Sequence, residues 1–367
     1  MDPNDIDVNS CRGRQARLIE EMRTHDVDLV IVTQIEHVQW LTGPRDGWVF
    51  QPAAALSIDG HAVLVAPSKP PELAAADDVL TYEAKWHSTL RNDQRFASTQ
   101  ILLSALKNPP KRIGVEFSSF GQHLATSLDA EFVDIEPTLF RLRRHKDPDE
   151  LARIRKAIAA TGKMYKRARE IIEPGISELH VFNELQSAAV ESLGEMLTDT
   201  GNDYQCCSRG GPPRANHKAQ AGELYILDLG PAFRGYFADN CRTIAVSEVS
   251  EAQQQAWEHV VGVFSLVQER VKPGVSAKHL FLEAQQLLDK SKTGVFNHHL
   301  GHGIGLFPHE SPHLNPNWDD TFEVGDVFTA EPGLYAPELR AGMRVENNYL
   351  VTETGVELLS DFPLELL

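Results

Sequence analysis

Residues 223–243 read ELYILDLGPAFRGYFADNCRT and place two aspartates, Asp228 and Asp239, inside apolar runs that are typical of strands. The pairs Gly230-Pro231 and Arg234-Gly235 between them favour turns, so the stretch predicts a β-hairpin. In a symmetric hairpin the two aspartates would lie nearly opposite each other, with Cβ atoms about 5 Å apart. Carboxylates this close repel each other unless a cation or a shared proton lies between them.

Two interpretations of this hairpin stay open from its own residues. In the first, the aspartates bind two divalent metal ions that lie about 3.5–4 Å apart. In the second, one aspartate ends a strand and pairs with Arg242, while the other lies in the turn. Residues elsewhere in the chain favour the first interpretation.

Residues 298–310, HHLGHGIGLFPHE, hold four histidines among glycines, which let a backbone approach a bound group closely. A single histidine is more often structural, but this density favours a binding site in which one or two imidazoles ligate a metal. The four histidines are His298, His299, His302 and His309.

Two glutamates repeat the pattern of an acid in an apolar strand. Glu331 stands in VFTAEPGLY, residues 327–335, and Glu346 stands in MRVENNYLV, residues 343–351. An alternative for Glu346 is an ion pair with Arg344. The two residues share a strand face, however, and Arg344 can instead reach a substrate. Two divalent cations would balance the charge of the four carboxylates.

The length of 367 residues favours two domains, because one hydrophobic core seldom serves so long a chain. Strand-like and helix-like segments alternate in residues 1–145, which indicates an α/β domain. Its predicted strands are 28–33, 53–58, 62–66, 112–117 and 132–135. The basic run 141–146 is expected to be a solvated connector.

Residues 146–367 mix strands and helices without strict alternation, which indicates an α+β domain. A long helix is predicted to begin at Asp147-Pro148, and Ser250 with Gln253 forms a capping box for another. The predicted strands are 223–229, 236–246, 326–331 and 343–352.

The composition excludes several classes of partner. Acidic residues number 52 and basic residues 35, and the formal charge of −17 argues against binding to nucleic acid or an anionic membrane. Four cysteines without CxxC spacing predict reduced thiols rather than a disulfide framework. The chain shows no signal-peptide pattern and no apolar run of ~18 residues, so we expect a cytoplasmic location.

The four acids and one of the histidines resemble the five metal ligands of the pita-bread metallopeptidases. They match in order, in spacing and in flanking residues. This family includes prolidase, aminopeptidase P and methionine aminopeptidase. The matching residues are Asp228, Asp239, His302 in Gly-His-Gly, Glu331 in Glu-Pro-Gly, and Glu346 in Arg-Val-Glu-Asn. Residues 28–33, 40–43 and 144–151 also resemble the creatinase-type N-terminal domain and linker of prolidase and aminopeptidase P. The resemblance implies a creatinase-like domain over 1–145 and a pita-bread catalytic domain over 146–367.

The resemblance also implies how the ligands divide. Asp239 and Glu346 would bridge two ions, and Asp228 would chelate one of them. His302 and Glu331 would complete the site of the other ion. Oxygen-rich ligation with one imidazole suits Mn²⁺, with Co²⁺, Fe²⁺ or Zn²⁺ as alternatives.

Further roles follow from the same resemblance. A hydroxide bridging the ions would attack the peptide carbonyl, with Glu331 as general base. His309 would steady the tetrahedral intermediate, and His298 would line the subsite beyond the scissile bond. Arg344 is a further candidate for substrate binding. A homodimer is expected by resemblance only.

Two departures from the family pattern concern substrate binding. Gly211 stands where relatives usually carry a flap histidine, so either His217 takes that role or the role is empty. His313 stands where many prolidases have an arginine for the substrate carboxylate. The predicted function is a dipeptidase that cleaves short peptides before proline. Alternatives are an Xaa-Pro aminopeptidase acting on longer peptides, a family member with non-peptidase chemistry, and a non-catalytic binding protein.

Overall fold

The structure is a computed structural model, and it describes residues 2–47, 49–86, 90–106, 110–119, 122–201 and 203–367. The chain divides into two compact units. The N-terminal unit comprises Met1–Arg143 and Asp147–Asp149, and the C-terminal unit comprises Arg144–Lys146 and Glu150–Leu367. No helix within the described ranges is long and apolar enough to span a membrane.

The N-terminal unit is built on a six-stranded mixed sheet. Its strands are β1 (Leu29–Val32), β2 (Ala53–Ser57), β3 (Ala62–Pro67), β4 (Asp78–Tyr82), β5 (Arg112–Val115) and β6 (Glu131–Asp134), in the spatial order β4-β3-β2-β1-β5-β6. Its helices are α1 (Val8–Thr24), α2 (Ile35–Thr42), α3 (Arg91–Ala105), α4 (Gln122–Ser127) and α5 (Glu136–Arg143). All four residues of β1 are buried, as its apolar sequence requires. The predicted α/β class is confirmed.

The helices of the C-terminal unit begin where their capping residues predict. They are α6 (Pro148–Ile171), α7 (Glu178–Leu193), α8 (Glu251–Arg270) and α9 (Ala277–Leu288). The Ser250 hydroxyl accepts from the Gln253 N–H and the Gln253 side chain accepts from the Ser250 N–H, so the predicted capping box opens α8. Val260, Val263 and Leu280 of these helices join a buried apolar cluster with the sheet residues Phe328 and Tyr349.

The strands of the C-terminal unit form two main antiparallel sheets. The first has the order β11-β8-β7, and the second has the order β13-β12-β14-β17-β18. Their strands are β7 (Asp203–Cys206), β8 (Leu224–Leu229), β11 (Asn240–Ala245), β12 (Gly301–Gly303), β13 (Glu310–Leu314), β14 (Val327–Ala330), β17 (Asn347–Val351) and β18 (Val356–Leu358). Two short ribbons accompany them, β9 (Ala232–Phe233) with β10 (Tyr236–Phe237), and β15 (Gly333–Leu334) with β16 (Met343–Arg344). The α+β class is confirmed.

The predicted register of the first hairpin is wrong. Asp228 lies opposite Cys241, not Asp239, because the hairpin turns at Arg234-Gly235 and the register of β9–β10 continues unchanged into β8–β11. Asp239 is therefore a diagonal neighbour of Asp228, on the same sheet face but just outside β11. The predicted strand 343–352 is divided into β16 and β17, and Glu346 lies between these two strands.

The prediction that residues 141–146 form a solvated connector is also wrong. Arg144 is buried and donates to both carboxylate oxygens of Asp326, at 2.9 Å from Nε and 2.7 Å from Nη2. Lys146 is buried as well, 3.3 Å from Glu310. Buried charges need partners, and acids distant in sequence supply them here.

Candidate metal centre

A cavity of about 500 Å³ in the C-terminal unit gathers most of the residues that the sequence singled out. The predicted site residues that line this cavity are Asp228, Asp239, His298, His302, His309, Glu331, Arg344 and Glu346. Their side chains come from β8, from β12, from the ends of β14 and β16, and from the loops between strands. The topology thus brings together residues that are more than a hundred positions apart.

Ligand-type atoms in this cavity lie close enough to share metal ions. In each of two sets of three side chains, the candidate ligand atoms all lie within 4.8 Å of one another. The first set is Asp228, Asp239 and Glu346, and the second is His299, His302 and Glu331. The five predicted ligands are therefore distributed over two adjacent sets.

The three acids that stand outside strands are held by their backbones. The Asn348 amide donates to the Asp239 carbonyl at 2.6 Å, and the Glu346 N–H donates to the Cys241 carbonyl at 2.8 Å. The Glu331 N–H donates to the Leu300 carbonyl at 2.7 Å. Each carboxylate is thus fixed at a strand end or strand break, where its side chain is free to face the cavity.

Burial and charge repulsion both disfavour the ionised acids of this cluster in the absence of cations. Burial raises the pKa of Asp239 well above its usual range, and the carboxylates of Asp228 and Glu331 raise it further. Burial likewise raises the pKa of Glu346, together with Asp239 and Asp228. The Glu346 Oε2 atom is buried with no hydrogen-bond partner. An unpaired buried oxygen among repelling acids is the environment that a divalent cation would stabilise.

His302 is oriented as a neutral metal ligand. Its Nδ1 lies 3.1 Å from the Gly303 carbonyl, which can only accept, so this nitrogen carries the proton. The Nε2 lone pair then faces Asp239 at 3.6 Å and Glu331 at 3.5 Å. Burial lowers the pKa of His302 well below its usual value and keeps the imidazole neutral. A backbone carbonyl that fixes the tautomer in this way is common behind metal-binding histidines.

Two more imidazoles flank this ligand. The His309 ring stacks on His302, with centroids 3.8 Å apart, and burial lowers its pKa. His299 Nε2 lies 2.8 Å from Glu331 Oε1, and this hydrogen bond raises the pKa of His299. The sequence showed His299 in the histidine cluster but gave it no separate role, although it directly contacts the proposed general base.

Both alternative pairings considered for the acids are wrong. Arg242 donates to the backbone carbonyls of Cys241 and Glu346, at 2.8 Å and 2.5 Å, and contacts neither aspartate. Arg344 pairs with Asp203 and Asp228, the latter at 2.6 Å, rather than with Glu346. Arg344 thus lines the cavity with its charge already neutralised by two carboxylates.

His298, Tyr335 and Arg209 also line the cavity, next to Arg344. His298 Nδ1 lies 2.7 Å from the His299 carbonyl and therefore carries the ring proton. Its Nε2 lies 3.0 Å from the Tyr335 hydroxyl and accepts a hydrogen bond from it. Burial lowers the pKa of His298 to about 3, so the ring is neutral. The Arg209 guanidinium lies 3.9 Å from the centre of the Tyr335 ring and donates to Asn297. Arg209 was missed because an isolated loop arginine has no sequence signal.

Two predicted substrate-binding residues do not line the cavity. His313 Nδ1 lies 2.8 Å from Asp320 Oδ2, and its ring stacks on Trp318. His217 lies beside Cys206 and Glu223. The proposal that His217 fills the role of the flap histidine has no geometric support, because its imidazole faces a different cluster.

Comparison with known proteins assigns the family. The model of metallopeptidase family M24 matches residues 152–353, which is more than half of the chain. The chain belongs to metallopeptidase family M24. The model of the creatinase/prolidase N-terminal domain matches residues 14–145 of this M24 metallopeptidase. The predicted family resemblance and the predicted enzyme class are confirmed.

Relatives of the M24 chain extend over most of its length. It is 30% identical over 271 residues to the uncharacterized peptidase YqhT of Bacillus subtilis, covering 70% of this chain and 75% of that protein. The prolidase of Pyrococcus horikoshii has a similar structure, with a TM-score of 0.79 at 23% identity over 97% of this chain and all of the prolidase. The X-Pro aminopeptidase of Thermotoga maritima gives a TM-score of 0.77 at 21% identity, over 96% of this chain and 98% of that one. At these identities the two structures establish the fold.

Proposed function

We propose that this M24 chain is an Xaa-Pro dipeptidase that depends on two divalent metal ions, with Mn²⁺ as the expected cation. The observation that carries the proposal is a single cavity that joins the buried acid cluster to Arg209, which has no carboxylate partner among the residues that the structure describes. The first feature suits metal-dependent hydrolysis, and the second suits a substrate with a free carboxylate. The prolidase likeness of the fold supports the same reading.

The donor set fits the proposed ions. Asp239 and Glu346 would bridge the two cations. Asp228 would complete the site of one ion, and His302 and Glu331 would complete that of the other. Four carboxylates and one imidazole suit Mn²⁺, with Co²⁺, Fe²⁺ or Zn²⁺ as alternatives. When bound, the ions would acidify a water molecule and polarise the scissile carbonyl.

Side chains beside the ligands would move the protons. Glu331 is the proposed general base, and the hydrogen bond from His299 fixes its Oε1. His309, stacked on His302, is the proposed donor to the oxyanion of the tetrahedral intermediate.

Arg209 is the proposed partner of the substrate carboxylate. Within the described residues, no carboxylate lies within salt-bridge distance of Arg209, whereas Arg344 already pairs with two. Arg209 also stacks on Tyr335, which contacts His298, the residue proposed to line the subsite beyond the scissile bond. In a dipeptide the free carboxylate lies in that subsite. An arginine there would supply the charge that His313 does not bring to the cavity.

A peptide panel on Mn²⁺-reconstituted protein tests the function. We expect about two ions per chain by elemental analysis, and cleavage of Ala-Pro in preference to Ala-Pro-Ala and to Ala-Pro amide. Arg209→Leu should raise the KM for Ala-Pro on the order of 10- to 100-fold, the loss expected for a charged hydrogen bond. It should leave the KM for the amide unchanged.

Two controls sharpen the panel. Arg209→Lys keeps a charge and should retain part of the preference for the free carboxylate. Arg270→Leu removes an arginine that pairs with Glu283 outside the cavity, and should change neither KM. Tripeptides cleaved far better than dipeptides would instead identify an Xaa-Pro aminopeptidase. The homodimer and the cytoplasmic location stay predictions, and size-exclusion chromatography with light scattering tests the former.

A further inference from the structure

A second cluster of ligand-type side chains lies outside the cavity, and its members are Cys206, His217 and Glu223. Their candidate ligand atoms all lie within 4.8 Å of one another. Cys206 Sγ lies 3.4 Å from Glu223 Oε2, and His217 Nε2 lies 3.5 Å from the same oxygen. Cys206 and Glu223 are buried. None of the three side chains lines the candidate metal centre.

The spacing of these atoms matches a tetrahedral metal site. Tetrahedral zinc with Zn–S of about 2.3 Å and Zn–N and Zn–O of about 2.0 Å separates neighbouring ligand atoms by about 3.3–3.5 Å. The separations from Glu223 Oε2 to Cys206 Sγ and to His217 Nε2, 3.4 Å and 3.5 Å, are close to those values.

Hydrogen bonding alone leaves this cluster unsatisfied. The Glu223 carboxylate accepts from the Gln220 N–H at 2.9 Å and from the Cys206 thiol. The His217 Nε2 atom is sealed from solvent and makes no hydrogen bond. A buried ring nitrogen without a partner costs free energy, and a cation bound between it, the thiolate and the carboxylate would remove that cost.

The backbone next to this cluster supports a fourth ligand. Successive side chains in a strand point to opposite faces, so Cys206 and Cys207 would diverge if the strand continued. Cys207 instead has a φ of +50°, and its thiol is close enough to Glu223 for the carboxylate to raise the thiol's pKa. Two adjacent cysteines thus reach one carboxylate.

We propose that Cys206, His217 and Glu223 bind a zinc ion, with the Cys207 thiolate or a water molecule as the fourth ligand. Thiolate and imidazole ligands favour Zn²⁺ over the Mn²⁺ expected in the oxygen-rich cavity. The ion joins the two ends of the loop 207–217, which carries Arg209 into the cavity wall. The three ligands take no part in the proposed peptidase reaction, but occupancy of the site holds in place the loop that carries Arg209.

Titration of the full metal-free chain with Co²⁺ in the presence of a phosphine reductant tests the site. A thiolate ligand gives Co²⁺ a charge-transfer absorption in the near ultraviolet, which the carboxylate and imidazole ligands of the cavity do not give. We expect this band to reach the absorbance of one thiolate-bound Co²⁺ per chain, whatever Co²⁺ the cavity also binds, and to disappear when Zn²⁺ is added. Cys206→Ser and His217→Ala should abolish or strongly weaken it.

Cys241→Ser is the matched control, because Cys241 is a buried thiol next to the cavity ligand Asp228 in sheet register. This variant should keep the band. His217 is partly exposed, so His217→Ala should fold even if Cys206→Ser does not, and circular dichroism checks both. No band in the wild-type chain, or an undiminished band in folded His217→Ala, would overturn the proposal. Neither result bears on the peptide panel.

Discussion

Two buried glutamates, one in each unit, have opposite environments. Glu116 in the N-terminal unit and Glu346 in the C-terminal unit are 2% and 1% exposed. Glu116 accepts from the Thr33 N–H at 2.8 Å, the Ser119 hydroxyl at 2.9 Å and the His37 ring at 2.7 Å. Glu346 has an oxygen with no partner.

The pKa values of the two acids follow from this difference. Burial alone would raise the pKa of Glu116, but the hydrogen bond from His37 and those from Thr33 and Ser119 reverse the effect and lower it. For Glu346, burial and the neighbouring carboxylates all raise the pKa. A carboxylate whose partners the protein supplies serves the fold, whereas one left among other acids is prepared for a cation.

The largest expected effect comes from Glu346→Gln. It removes one proposed bridging carboxylate, so Mn²⁺ stoichiometry should fall below two and peptide cleavage should fall by orders of magnitude. The metal-free variant should unfold at a higher temperature than metal-free wild type, because one repelling charge is gone. Elemental analysis and calorimetry measure the two effects. Glu357→Gln, which removes a surface glutamate paired with Arg155, is the control and should change neither. Wild-type metal content in Glu346→Gln would contradict the assignment.

His309→Ala should have the next largest effect on catalysis. Loss of one donor to the oxyanion costs on the order of 10²–10³ in kcat, and metal content should stay at the wild-type level. His313→Ala provides the comparison, since Asp320 and Trp318 hold that imidazole away from the cavity. Steady-state kinetics with Ala-Pro should show little change for it. Equal kcat values for the two variants would remove His309 from the proposed mechanism.

Glu116→Gln should show the reverse of the Glu346 pattern. The change weakens the charged hydrogen bonds from His37 and two other donors, so the free energy of unfolding should fall by about 1–3 kcal/mol. Metal stoichiometry and the KM for Ala-Pro should stay as in wild type. Urea unfolding of the metal-free variant measures the first quantity. If this substitution also lowered the metal content, the distinction between the two acids would fail.

The smallest expected effect is a pH dependence of stability, and its sign differs between the acids of the cavity and Glu116. Asp239 and Glu346 have raised pKa values in the folded state, so the metal-free protein loses stability as pH rises above the unfolded values of about 4. Glu116 has a lowered pKa, and its contribution is lost as pH falls below about 4. Added Mn²⁺ should therefore raise Tm more at about pH 7.5 than at about pH 5.5. Scanning fluorimetry measures this, and a pH-independent rise in Tm would contradict it.

The sequence by itself determined the classes of the two domains and the identity of the acids in the cavity. Local sequence pattern was enough to predict the domain classes, because strand and helix periodicity and the caps at Asp147 and Ser250 depend on neighbouring residues. The acids of the cavity were predictable because an acid inside an apolar strand is costly to bury wherever the strand packs. Asp228, Glu331 and Glu346 therefore stood out without any knowledge of the fold.

Only the tertiary structure decided which side chains meet. Register depends on where a hairpin turns, and the turn at Arg234-Gly235 places Cys241 opposite Asp228 and leaves Asp239 diagonal to it. The burial of Arg144 and the arrival of Arg209 and His299 in the cavity all depend on partners distant in sequence. A charged side chain takes whichever opposite charge the packed chain brings within reach, and its local sequence does not encode that distance.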